Sequence, residues 1–166
     1  MLLCGLSSYK GFAVKTLGIK RSNFRKLETL DYKDIIDEVT PIPSKRALIH
    51  HGPNVSVQAK RIKFKLHLEI PPLYCVEYID NASGEIIEYH YDWEDSSGIL
   101  MKFHAHYHPE EAPASVKQFD PFHLHVKIDG NDKEARKREP DTQYKCLYNV
   151  LYFIKSHAYV KAYTGK

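Results

Sequence analysis

Arg61-Ile62-Lys63-Phe64-Lys65-Leu66-His67-Leu68-Glu69-Ile70 carries an apolar side chain at every even position and a polar one at every odd position. A period of two is the signature of a strand with one buried and one open face, so this stretch predicts a first strand. Pro71-Pro72 interrupts it, and further strand signals follow downstream. Leu73–Ile79 reads as a second strand, with Asp80-Asn81-Ala82-Ser83-Gly84 supplying turn chemistry after it. Glu85–Trp93 reads as a third, setting Ile87, Tyr89, Tyr91 and Trp93 against Glu88, His90 and Asp92. After the loop Glu94–Gly98, residues Ile99–Tyr107 divide into Met101, Phe103, Ala105 and Tyr107 on one side and Lys102, His104 and His106 on the other.

Upstream and downstream the signals change. Residues 28–39 predict a short helix burying Leu30, Ile35 and Val39, ended by Thr40-Pro41-Ile42-Pro43 because proline disfavours helical geometry in the residue before it. Ala47–His50 reads as a short strand and Pro109–Lys117 as an irregular loop. Phe122–Ile128 alternates as a fifth strand of the meander, and the very polar residues 129–140 read as a flexible loop. Asp141 or Thr142 caps a last helix over 143–158, where Tyr144, Leu147, Leu151 and Ile154 form a stripe. The expected fold is α+β: an antiparallel β-meander of about five strands covered on one face by an N-terminal and a C-terminal helix. Residues 1–166 are expected to form a single domain, in which 1–55 are a basic N-terminal extension with a helical subregion and 60–160 hold the sheet and its closing helix.

Composition narrows the function. With 166 residues, 43% hydrophobic and 27% charged, the chain can bury a core without disulfide or metal staples. A formal net charge of +3 excludes a polycation, so nucleic-acid binding would need a local basic patch. Cys4, Cys75 and Cys146 form no CxxC pair, which argues against a secreted disulfide scaffold and a zinc ribbon. The N-terminus lacks a basic n-region and long h-region, and no stretch approaches the ~18 apolar residues of a spanning helix. These features predict a cytoplasmic protein with no membrane partner, and a homo-oligomer is compatible with them. Phosphate-binding Gly-rich loops, HExxH and Gly-x-Ser-x-Gly are missing from the sequence.

Histidine stands out. There are ten, and His104, His106, His108, His123 and His125 fall within 22 residues. If the strands pair in order, these five and His90 share one sheet face with Glu88, Asp92 and Lys102. Imidazoles suit acid–base work at neutral pH. One could take a 2′-hydroxyl proton, another protonate the leaving oxygen and Lys102 stabilise the phosphorane, giving metal-independent RNA cleavage. His108, His123 and His125 form the expected core of that site, with His104, His106, His90 and Lys102 around it. The same His104, His106, His108, His123 and His125 could instead hold a divalent metal such as zinc without catalysis, since histidines at i and i+2 on a strand chelate. A face that docks a partner protein is the third reading. Arg136-Lys137-Arg138 could grip phosphates, but Glu134 and Glu139 beside it favour a solvated loop.

The run Tyr74–Asp80, Gly84-Glu85-Ile86, Tyr89-His90-Tyr91-Asp92-Trp93, Gly98 and Leu100, followed by His108-Pro109 and Pro121-Phe122-His123-Leu124-His125, resembles the TumE-like (DUF6516) toxins of prokaryotic toxin–antitoxin pairs. The resemblance covers about residues 60–157. Tyr107 and Phe122 stand where the family pattern has histidine, while His108, His123 and His125 match it. The resemblance implies a growth-inhibiting toxin neutralised by a cognate antitoxin; RNA as a candidate partner comes from the histidine face and not from the resemblance.

Overall fold

The computed structural model describes residues 14–27, 32–43 and 52–164. The suggested strand at Ala47–His50, with His50 and His51, lies outside the described residues, as do Glu28–Asp31 at the start of the suggested first helix. Among the described residues the protein is α+β, with a seven-stranded antiparallel sheet in strand order 1 to 7 and three helices. The strands are β1 (Ile36–Pro41), β2 (Val55–Phe64), β3 (Leu73–Asp80), β4 (Ile86–Asp95), β5 (Gly98–Ala105), β6 (Phe122–Val126) and β7 (Lys137–Pro140). The helices are α1 (Phe24–Leu27), α2 (Ala114–Lys117) and α3 (Leu147–Thr164). No helix among the described residues is long and apolar enough to cross a membrane.

The sheet has seven strands rather than about five, the stretch 109–117 holds the helical turn α2, and the closing helix runs Leu147–Thr164 rather than 143–158. Four further expectations need correction. Residues 36–41 are not helical but form edge strand β1, paired with β2 through Val39↔Ile62 and Thr40↔Arg61. The apolar spacing 35/36/39 suits either state, and β-branched Ile36, Val39 and Thr40 favour the strand once β2 offers a ladder. The only helix among the described N-terminal residues is the single turn α1. The first alternating strand begins earlier and ends sooner than its pattern: beyond Phe64 the chain turns through a 3-10 segment, Leu66–Leu68, and Leu66 is 93% exposed. The loop 129–140 contains β7, which pairs with β6 through polar residues and so shows no apolar alternation. Ile87 leaves the Tyr89 face, because the register shift opposite Tyr78/Ile79 puts Ile86 in the main core and Ile87 with Val76 and Tyr78 on the other side.

The main core lies between one sheet face and α3. Leu147, Val150, Leu151, Ile154 and Ala158 form a buried helical stripe against Tyr89, Tyr91, Trp93 and Phe103. Tyr89 and Tyr91 stack at 4.3 Å, and the Trp93 ring meets Phe153 and His157 edge-on. The aromatic ladder is therefore core material. One carboxylate is buried there. Glu77 accepts bonds from Tyr91 Oη at 2.6 Å and from Ser22 Oγ at 2.5 Å, and burial raises its pKa despite them. With α3 occupying this side, the other sheet face is left for polar chemistry.

Candidate functional site

Cross-strand register assembles that face. His90 of β4, His104 of β5 and His123 of β6 are direct neighbours in one row across the sheet. The adjacent row is Asp92, Lys102, His125 and Arg138, one residue from each of β4 to β7. His106 and His108 follow β5 as it leaves the sheet, and the His106 N–H donates to the Pro121 carbonyl at 2.9 Å, holding that segment beside β6. Six imidazoles thus form one contiguous patch. Ring centroids are 4.4 Å apart for His90–His104, 4.8 Å for His104–His125 and 5.2 Å for His123–His125. They are 5.0 Å apart for His106–His123 and 4.4 Å for His106–His108. The structure therefore brings together His90, His104, His106, His108, His123 and His125, with Lys102 in the row beside them. His67 and His157 lie elsewhere, in the turn after β2 and on α3.

Three of the six rings are oriented by a carboxylate on one edge. His104 Nε2 bonds Asp92 Oδ1 at 2.8 Å, His90 Nε2 bonds Glu88 Oε1, and His108 Nδ1 bonds Asp120 Oδ1. The His108 backbone N–H also donates to Asp120 Oδ2 at 2.9 Å. Burial works against Asp120 ionising, but its bonds from His108 outweigh that and hold the carboxyl below its ordinary range. Asp120 was invisible in the sequence, twelve residues from His108 in an irregular loop; the other two carboxylates were legible from the alternation.

His123 differs. It is 0% exposed, and neither ring nitrogen has a hydrogen-bond partner. His90 Nδ1 and His106 Nδ1 are likewise buried and unpartnered. A buried polar group without a partner costs about 1–3 kcal/mol, so this face holds an arrangement that folding alone does not favour.

Proton affinity follows from the same crowding. Burial lowers the pKa of His104 to about 3, partly opposed by Asp92 and reinforced by neighbouring imidazoles. Burial and the surrounding rings bring His123 to about 2. His106 falls to about 4 mainly through burial, and His125 to about 4 through burial followed by the charges of Lys102 and Arg138. At neutral pH these four rings are uncharged, the form in which imidazole binds metal.

Two ligand sets are present. His104, His123 and His125 each offer a ring nitrogen within 4.8 Å of the others, and so do the side chains of Glu88, His90 and His106. Metal-bound histidines characteristically donate their second N–H to a carboxylate, as His104 does to Asp92. The donor set of imidazoles with carboxylates behind them suits zinc, nickel, copper or iron rather than calcium or magnesium. No family model, curated protein or solved structure matches the chain.

Proposed function

We propose that this is a divalent-metal-binding protein whose centre is His104, His123 and His125. The observation that carries the reading is His123: wholly buried, with both ring nitrogens unpartnered, between His104 and His125. A metal ion bound there would take up one of those nitrogens and offset its desolvation. His104 would coordinate through Nδ1, with Asp92 on Nε2 fixing the tautomer and raising the ring's basicity.

Metal-independent RNA cleavage is supported less well. It requires one imidazolium to protonate the leaving oxygen, and burial disfavours that form in His104, His106, His123 and His125. The TumE-like resemblance adds the proposal that the centre serves a cytoplasmic growth toxin with an antitoxin partner. Growth after induced expression of wild type against His123→Ala/His125→Ala tests that part, and equal growth would remove it.

The metal reading is tested by competing chelator-stripped protein against a chromophoric zinc indicator. Wild type should withdraw zinc from the indicator and His123→Leu should not. Indistinguishable curves for the two proteins would overturn the assignment.

A further inference from the structure

The second ligand set adjoins the first. His90 touches His104 ring to ring, and His106 touches His123. Its rings are held by hydrogen bonds, His90 Nε2 to Glu88 Oε1 and His106 Nε2 to His108 Nε2 at 3.1 Å, with His108 Nδ1 in turn on Asp120 Oδ1. That leaves the Nδ1 atoms of His90 and His106 buried and without a partner. Glu88, His90 and His106 each offer a ligand atom within 4.8 Å of the others, and an ion taken up there would compete with His90 Nε2 for Glu88.

The charges nearby suggest what a pair of ions would act on. Lys102 and Arg138 flank His125 in its row, both close enough to oppose its protonation. Arg138 Nε is buried without a partner. Two cationic side chains beside neutral metal ligands form an oxyanion-binding rim, and guanidinium in particular matches phosphate geometry. Two-metal hydrolytic centres place their ions side by side, and the two ligand sets here are in ring-to-ring contact, 4.4 Å between the His90 and His104 centroids and 5.0 Å between those of His106 and His123.

Resting on the metal-binding reading above, we propose that Glu88, His90 and His106 form a second metal subsite and that the paired centre hydrolyses phosphodiesters. The oxygen of water joins phosphorus, the ester P–O bond breaks, and the departing alcohol keeps a proton from that water, so that a phosphodiester and water give a phosphomonoester and an alcohol. Lys102 and Arg138 would hold the non-bridging oxygens.

Zinc stoichiometry of the full chain, stripped and then dialysed against zinc, tests this. Wild type should hold two equivalents, and both His90→Asn and Glu88→Gln should hold one, with the circular dichroism of wild type. Hydrolysis of bis(p-nitrophenyl) phosphate should follow the second equivalent and fall at least tenfold in both variants and in Arg138→Gln. One equivalent in wild type would overturn the second subsite and leave the first standing. No bound zinc would overturn both. Two equivalents without hydrolysis of the diester would overturn the substrate class.

Discussion

Replacing His123 by leucine should make the metal-free protein more stable, although the residue is wholly buried. Substitutions at buried positions ordinarily destabilise. Here the native ring leaves two nitrogens desolvated and unpartnered, a gross cost of about 2–6 kcal/mol at about 1–3 kcal/mol per group. Leucine has similar volume and no polar atom. It forfeits the ring contacts with His104, His106, His108 and His125, and a net gain of about 2 kcal/mol remains as the expectation. For a chain of this size that is a rise of roughly 4–8 °C in Tm. Thermal unfolding followed by circular dichroism in EDTA reads it directly. Zinc should reverse the ranking, because wild type gains about 2.7 kcal/mol at a hundredfold excess over Kd and His123→Leu gains none. A variant that melts below wild type in EDTA, or one that keeps the zinc-induced shift, would refute the reasoning.

Acid should destabilise the metal-free protein in a defined window. His104 and His123 bind protons less readily folded than at their ordinary value of 6.5, so the unfolded chain takes up more protons below that value and stability falls with pH. From pH 7.5 to 5 that pair alone should remove about 4 kcal/mol; His106 and His125, lowered in the same direction, add to the loss, and Glu77, shifted the other way by burial, gives a smaller opposing slope. Urea midpoints at the two pH values check this, and equal midpoints would contradict it. Asp92→Asn should weaken zinc binding about 10–100-fold by removing the carboxylate behind His104; an unchanged Kd in indicator competition would place Asp92 outside the centre. Gly98→Ala should cost more than about 1 kcal/mol, because φ is +127° there and a Cβ would meet the Lys133 carbonyl oxygen at 2.5 Å. Unaltered urea unfolding would show that the loop yields at no cost.

The histidine face was legible because a strand's period of two leaves no choice of side. Once the strands around His90, His104 and His123 are joined in order, the three fall on one face, and the register that makes them direct neighbours is seen only in the structure. Alternation failed where backbone pairing decides without apolar help. Strand β7 is polar at the sheet edge, and β1 carries a spacing that a helix would also accept. Ile87 changed face through a single bulged residue, which no pattern in the sequence announces. Asp120 reaches His108 from an aperiodic loop. The lack of partners around His123 is a property of packing, since a sequence shows that imidazoles converge but not whether anything satisfies them.

X-ray absorption at the zinc edge, on protein loaded with one equivalent, tests the metal centre most directly. The expected spectrum has three imidazole nitrogens at about 2.0–2.1 Å, with the imidazole scattering reduced in His104→Ala, His123→Ala and His125→Ala alike. A shell of oxygen ligands without imidazole, or a spectrum identical in wild type and all three variants, would contradict the assignment.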